Sequence, residues 1–186
     1  MCSSDLIPLF DADLNTIMRR VEAGKLDMGL GIFKSVPGVR HMPFSRFSLM
    51  VIRAGKDGGL RRASTTWSAL NGQTLISLPP SYPHQQLIDE HWAKTCIVWQ
   101  HGVVVNFLDT QIALVEADEG ITIIPSFGLP ACRNRKVVMS WLIAPVVNLE
   151  FHQISNRGKK LPPGADEFTA FLKTYIARWT GRASIL

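Results

Sequence analysis

The sequence predicts an α/β fold, and three observations carry that expectation. Stretches of helical and of strand periodicity alternate along the chain. The middle strands read as near-continuous apolar runs, the pattern of strands buried on both faces, which points to parallel sheets with helices outside. The chain has 186 residues, 46% hydrophobic and 19% charged, which is enough apolar material for a core and too little charge for a disordered chain.

Each element has its own signal. Ile7 to Phe10 is a short apolar run and is expected as a strand. Asp11 or Asp13 can cap the helix that follows, because a carboxylate accepts the orphan amide hydrogens there. In that helix Leu14, Ile17, Met18 and Val21 share one face, and Gly24 is a natural stop. Met28 to Phe33 reads as a buried strand, 35–38 as a turn, and Phe47 to Ala54 (FSLMVIRA) as a strong strand. Gly55 to Arg62 is a polar, glycine-rich connection and a candidate hinge. Trp67 to Leu70 reads as a helical turn, and Thr74 to Leu78 as a strand ended by Pro79-Pro80. Pro83 suits the first turn of a helix whose apolar face is Leu87, Ile88 and Trp92. Gly102 to Val105 is a strand, and Asn106 or Asp109 is expected to cap the next helix, which ends before Gly120. Ile121 to Ile124, Val137 to Ile143 and Leu149 to Ser155 complete the strands. The final helix starts after Pro162-Pro163-Gly164, with Phe168, Phe171, Leu172, Tyr175, Ile176 and Trp179 as its stripe. That stripe is expected to bury Phe168, Phe171, Tyr175 and Ile176 against the Leu14–Val21 helix or its sheet.

Composition excludes several classes. The net charge of +5 is spread over small groups such as Arg19-Arg20 and Arg157/Lys159/Lys160. No basic block or basic-aromatic alternation marks a nucleic-acid face, so the cations read as a solvated surface. The uncharged apolar stretch Val137 to Leu149 contains Pro145 and falls short of the roughly 20 apolar residues of a membrane span. The start of the chain lacks the pattern of a secretory signal. Cys2, Cys96 and Cys132 lie far apart without a C-x-x-C, which argues against a disulfide framework and fits a cytoplasmic location.

Signatures of catalysis are poor. Gly29-x-Gly31 has Lys34 where a dinucleotide loop has its third glycine, and there is no phosphate loop and no G-x-S-x-G elbow. His41, His84, His91, His101 and His152 show no metal-ligand spacing, so neither metal nor cofactor is expected. Ser81 and His84 are close in sequence but not in the geometry of a triad. Cys96 reads as a small core residue, and the tryptophans as core and interface. Cys132 lies near Arg133 and Arg135, which favour its thiolate.

An α/β sheet binds ligands beyond the carboxyl ends of its strands. The informative loops are therefore Phe33-Lys34, Pro80 to His84, Asn106 to Thr110, and Pro125 to Phe127. They are rich in hydroxyls, an amide and aromatic rings, and two of them open helices, whose amino termini favour anions. The candidate ligand residues are Phe33, Ser81, Tyr82, His84, Asn106, Phe107, Thr110 and Ser126. They suit a small ligand, with a carboxylate favoured. The competing reading of Asn106 is that it only caps its own helix.

Five segments in order, VEAGKLDMGLGIF (21–33), FSLMVIRAG (47–55), WSALNGQTLISLP (67–79), IALVEADEGITIIPSF (112–127) and RGKKLPPGADEFTAFLKTYI (157–176), carry a resemblance. Together they resemble the C-terminal effector-binding domain of LysR-type transcriptional regulators, from Ile7 to about Thr180. The resemblance implies two Rossmann-like lobes joined by two crossover strands, a type II periplasmic-binding-protein-like fold. Lobe one is then 7–54 plus 156–186, and lobe two is 55–155. The effector cleft falls on Phe33, on Ser81 and Tyr82, and on Asn106 and Phe107.

The chain departs from the family by carrying no helix-turn-helix, no linker helix and no first strand and helix of lobe one, so lobe one is expected to be incomplete. Residues 1–6 do not look like family sequence. CSSDL is what the tail of a common sequencing adaptor encodes, so these residues are expected to be non-native. The implied function is sensing of a small-molecule effector rather than catalysis, with DNA contacted only through the missing N-terminal part and no membrane partner. The parent is expected to be a dimer or tetramer, and this chain to self-associate weakly, with some exposed apolar surface. A stand-alone solute-binding protein of the same fold, or a small α/β hydrolase using Ser81/His84 or Cys132, are the alternatives.

Overall fold

The computed structural model describes residues 7–55 and 59–180, with the backbone alone at 59–63, 101, 179 and 180. Residues 1–6, expected as non-native, lie outside it, as does the side chain of Trp179.

The first helix, α1 (Leu14–Glu22), starts where the sequence placed it. Asp13 is its N-cap and accepts from the Thr16 amide at 2.9 Å. Gly24 follows its end with φ +66°, the left-handed conformation that glycine adopts without strain. The apolar face of α1 lies on a three-stranded sheet edge made of β1 (Met28–Gly31), β8 (Asn148–Asn156) and the first half of β2 (Val39–Ala54). Val21, Phe33, Val39 and Ile154 form the core there, with Leu14, Ile17 and Met18 packed against them. The GLG of β1 permits this approach. A Cβ on Gly29 would stand 2.6 Å from the Ile17 Cγ2, and one on Gly31 2.7 Å from the Leu14 Cδ2.

β2 is longer than the Phe47–Ala54 strand expected, and it joins two regions. Its first half pairs with β8, and its second half pairs antiparallel with β6 (Thr122–Pro125) and β7 (Val137–Ile143). Along that second half the alternation is strict. Leu49 and Val51 enter one core with Trp67, Leu70, Leu75 and Ile88, while Met50 and Ile52 enter another with Ile112, Val115 and Ile124. Helix α2 (Pro83–Trp92) with the turn Trp67–Leu70 covers one face, and α3 (Leu108–Glu116) the other. Burial on both faces was therefore legible in the apolar runs, but the inference of parallel strands was not sound for the main sheet. In that sheet only β3 (Gly59–Thr66) runs parallel to its neighbour β7. The parallel expectation holds for β4 (Thr74–Ser77) beside β5 (Gln100–Val104), with a further parallel bridge from Leu75 to Ile121. Helices on both faces bury a strand whatever its direction.

Three further expectations are corrected. Ile7 to Phe10 is not a strand: Ile7 and Leu9 are exposed with no pairing partner, and Phe10 lies under the Arg20 guanidinium, 4.1 Å from the ring centre. The connection expected as a hinge at 55–62 is in part strand, since β3 begins at Gly59; residues 56–58 lie outside the described residues. The last helix, α4 (Ala165–Thr180), packs on the turn Ser126–Cys132 and on β2, a strand of the sheet that α1 covers and so one of the two expected partners, but it does not bury all the residues expected. Its seam is Ala165 and Thr169, both buried, flanked by half-buried Phe168, Leu172 and Ile176. Phe171 is 65% exposed and stacks on Tyr175, 6.2 Å away, on the outer side. Small residues at the seam let the helix sit close, which rotates the aromatic pair outward. Phe171→Ala is accordingly expected to change the unfolding free energy by at most about 0.5 kcal/mol in urea titration, not by the roughly 3–5 kcal/mol of a buried phenylalanine.

Candidate functional site

β4, β5 and β6 end on one edge, and the loops that leave them are held together there by backbone bonds. The Val105 amide donates to the Ser77 carbonyl at 3.0 Å, continuing the β4–β5 pairing past the strand ends. From β4 the chain turns through Pro79 to Tyr82, with the Tyr82 amide donating to the Pro79 carbonyl. Pro83 then opens α2 at a position that needs no amide hydrogen. Gln85, in the first turn, reaches back: its Oε1 accepts from the Leu78 amide at 3.2 Å, and its Nε2 donates to Asp89 at 2.8 Å. The neighbouring loop is tied in by Tyr82, whose hydroxyl donates to the Asn106 carbonyl at 3.0 Å.

The two helix starts at this edge share a property. The N-caps of α2 and α3 are Tyr82 and Phe107, and neither makes a side-chain capping bond. Apart from Pro83, which has no amide hydrogen, the first turns thus present amides without a side-chain cap at the positive ends of two helix dipoles. Asn106 and Asp109 were expected as alternative caps for α3. Neither caps it, because the N-cap position falls one residue beyond Asn106, on Phe107, and Asp109 already lies inside the first turn. The Asn106 amide and the Ser81 hydroxyl are exposed and make no hydrogen bond among the described residues.

The third loop follows β6. Ser126 is buried, and Phe127 stands edge-on to Phe47 at 5.2 Å, with Phe151 6.1 Å beyond it. Gly128 sits beside Leu108, the first residue of α3, which brings this loop to the same edge. The structure thus places Ser81, Tyr82, Asn106 and Phe107 on two loops tied together at this edge, with Ser126 buried at the start of the third loop. Thr110 is exposed in the first turn of α3. Phe33 is 8% exposed and belongs to the α1 core with Val21, Val39 and Ile154. His84 is buried at the second position of α2, its Nε2 without a partner, and burial lowers its pKa to about 4.

Pattern reading missed the residues that hold the edge. Gln111 and Thr122 both donate to the Ile76 carbonyl, at 3.2 and 2.8 Å, from buried positions. Gln85 had a usable signal, since a glutamine at the third position of a helix commonly reaches back toward its start. Gln111 and Thr122 had none, because their partner is far off in sequence.

The geometry also corrects the readings of two cysteines. Cys96 is exposed rather than in the core. Cys132 is buried, and burial pushes its thiol up to about 11 against the opposing pull of Arg135, so it is not a favoured thiolate. No hydrogen bond joins Ser81 to His84, whose Nε2 is sequestered. The pair therefore has no preformed nucleophile–base contact. No helix among the described residues is long and apolar enough to cross a membrane.

A family model described as the LysR substrate binding domain matches residues 7–177. Over 114 residues the chain is 28% identical to the uncharacterized HTH-type transcriptional regulator YbhD of Escherichia coli (strain K12). The match covers 61% of this chain and 35% of that protein, so the chain spans about a third of its relative's length. Among solved structures, the effector-binding domain of QuiR in complex with shikimate aligns with a TM-score of 0.71 at 18% identity, covering 95% of this chain and 82% of that one. The BenM effector-binding domain with its effector benzoate aligns at 0.69 and 16%, covering 92% and 78%. The Corynebacterium glutamicum OxyR C206 mutant aligns at 0.75 and 17%, covering 91% and 54%. At these identities the likeness establishes the fold, the two-lobed α/β fold of effector-binding domains. With its family model running from residue 7 to residue 177, the chain belongs to the LysR substrate-binding domain family.

Proposed function

We propose that the chain senses a small carboxylate effector at the edge where β4, β5 and β6 end, and that it regulates transcription as part of a longer protein. One observation carries the ligand class: two helix amino termini without side-chain caps are tied side by side through the Tyr82 hydroxyl and the Asn106 carbonyl. Such an arrangement favours negative charge. Ser81 and the Asn106 amide supply directional hydrogen bonds, and Phe107, 69% exposed, gives an apolar wall. Asp109 in the first turn of α3 opposes a second negative charge, which favours a monocarboxylate. QuiR is described with shikimate and BenM with benzoate, and both compounds are natural first probes.

The parent protein contacts DNA through a preceding helix-turn-helix domain and works as a dimer or tetramer. Val103 and Val104 on the outer strand β5, both more than half exposed, support self-association. Lobe one is 7–54 with the chain's end, and lobe two starts at residue 55. The pairing of β8 with β1 and the first half of β2 supports a second boundary before Asn148 in place of 155/156. The effector acts by binding one arrangement of the lobes better than another, and this chain is a sensor rather than a catalyst.

Calorimetry with a panel of monocarboxylates, shikimate and benzoate included, tests the site. Asn106→Ala and Ser81→Ala are expected to weaken binding by about tenfold each, the loss of one hydrogen bond to a charged group, with the ligand-free melting temperature unchanged. Tyr82→Phe, which unties the two loops, is expected to weaken binding while lowering stability by about 1 kcal/mol. Unchanged affinity in all three variants would end the assignment.

A further inference from the structure

Three segments meet at the end of the sheet where β1 and β2 begin and β8 ends: 20–27 at the close of α1, 38–40, and 156–160. Bonds to backbone carbonyls tie them together. The Asn156 Nδ2 donates to the Glu22 carbonyl at 2.7 Å, and the Lys159 Nζ donates to the Gly24 carbonyl at 2.7 Å. The Arg157 amide donates to the Gly38 carbonyl at 3.0 Å, and its Nε to the Val39 carbonyl at 3.2 Å. Arg40 stands opposite Ser155 in the β2–β8 pairing.

The sequence carries its cations in small separate groups, and the fold gathers several of those groups here. Arg20, Lys25, Arg40, Arg157, Lys159 and Lys160 are all exposed, and none makes an ion pair among the described residues. Arg157 and Lys159 are held by carbonyls, which fix their side chains without cancelling their charge. The same segments hold two carboxylates, Glu22 and Asp27. Six cations against two carboxylates give a surplus close to the +5 of the whole chain. Concentrated charge of one sign steers a partner of the opposite sign toward it, and side chains already fixed lose less freedom on binding.

The two carboxylates decide the class of that partner. A DNA backbone carries one negative charge per roughly 1.7 Å of helix axis, so it brings phosphates close to Glu22 and Asp27 as well as to the cations. The three segments also contain no aromatic ring for base stacking. A protein segment differs, because it sets its charges at chosen positions. Its carboxylates can meet the cations while a cation or a neutral residue faces Glu22 and Asp27.

We propose that this end of the chain is a docking surface for an acidic segment of another protein, one rich in Asp and Glu. It lies apart from the effector edge and goes beyond the sensing of a small molecule.

Fluorescence anisotropy on the whole chain is the test. The probes are a labelled peptide of alternating Glu and Ala, its counterpart of alternating Gln and Ala, and a short DNA duplex. The acidic peptide is expected to bind, less tightly as salt rises from about 0.01 to 0.15 M, and the Gln peptide roughly tenfold more weakly. Lys25→Glu combined with Lys160→Glu is expected to weaken binding of the acidic peptide by roughly tenfold. Both positions are exposed, so the melting temperature should stay at the wild-type value. Lys94→Glu combined with Lys136→Glu makes the same change in net charge elsewhere, and it is expected to leave most of the affinity intact. No binding of the acidic peptide at low salt, or an equal loss in the two double variants, would overturn the proposal. A duplex that outcompetes the peptide at about 0.15 M salt, and is released by the Lys25/Lys160 variant, would make this end a nucleic-acid face and overturn it as well.

Discussion

Phe47→Ala is expected to destabilise the chain by about 3–5 kcal/mol, the cost of deleting a fully buried aromatic ring. Phe47 is 2% exposed and lies near the middle of β2, where the strand passes from its pairing with β8 to its pairing with β6. Its ring stands edge-on to Phe127 at 5.2 Å and to Phe151 at 5.7 Å, so three elements lose a contact at once. The void cannot close easily, because β2 is fixed by strands on both sides and cannot shift toward it. Phe127 belongs to the loop after β6, so the same change is expected to loosen one wall of the proposed effector edge. Urea unfolding should therefore show the stability loss, and carboxylate affinity should fall in the variant even where it is fully folded. Phe47→Leu, which keeps most of the volume, is expected to retain much of the stability. A loss below about 1 kcal/mol for Phe47→Ala would mean that the aromatic cluster does not hold the crossover strand.

What the residues disclosed on their own follows from how local each determinant is. The cap at Asp13, the stripe of α1, the stop at Gly24 and the start of α2 at Pro83 are set within a few residues, and all were legible. The first half of β2 was not, because Val39 to Ser45 interleaves Arg40, His41 and Pro43 with apolar residues and reads as a loop until β8 pairs with it. Strand direction was illegible for the same reason, since apolar runs report burial and not the partner's orientation. The rule that ligands lie beyond strand ends picked out three loops, which the fold carries to one edge. It did not say which of their side chains turn inward. Phe33 and His84 are in loops chosen for ligand contact yet are buried, a property settled by α1 in one case and by the packing of α2 in the other. The failure of Asn106 to cap α3 is likewise a matter of where the helix starts, and a shift of one residue decided it.

Buried His84 is expected to make the proposed effector edge sensitive to acid. Its pKa falls from an ordinary 6.5 to about 4, and burial is the cause. A neutral ring leaves only Nε2 without a partner, whereas the charged ring would bury an unpaired imidazolium. A group whose pKa is depressed on folding binds its proton more readily in the unfolded chain. Its contribution is therefore fully present above pH 6.5 and is lost as the pH falls through that value toward 4. The gap corresponds to about 3 kcal/mol, reached near pH 4 and below. The melting temperature of the wild-type chain is accordingly expected to drop steeply from pH 6.5 to 4, on top of the slope from its carboxylates. His84→Leu, which cannot take a proton, should flatten that segment of the curve and raise stability at pH 4.5 relative to wild type. Because His84 follows Pro83 in the first turn of α2, local opening should reach Ser81 and Tyr82 first. Carboxylate binding should then weaken as the pH falls from 6.5 toward 4, before the chain unfolds as a whole, and His84→Leu should remove that loss. An unchanged pH profile of stability in His84→Leu would show that His84 takes up its proton in the folded chain as readily as in the unfolded one, and that another group sets the acid limit of the site.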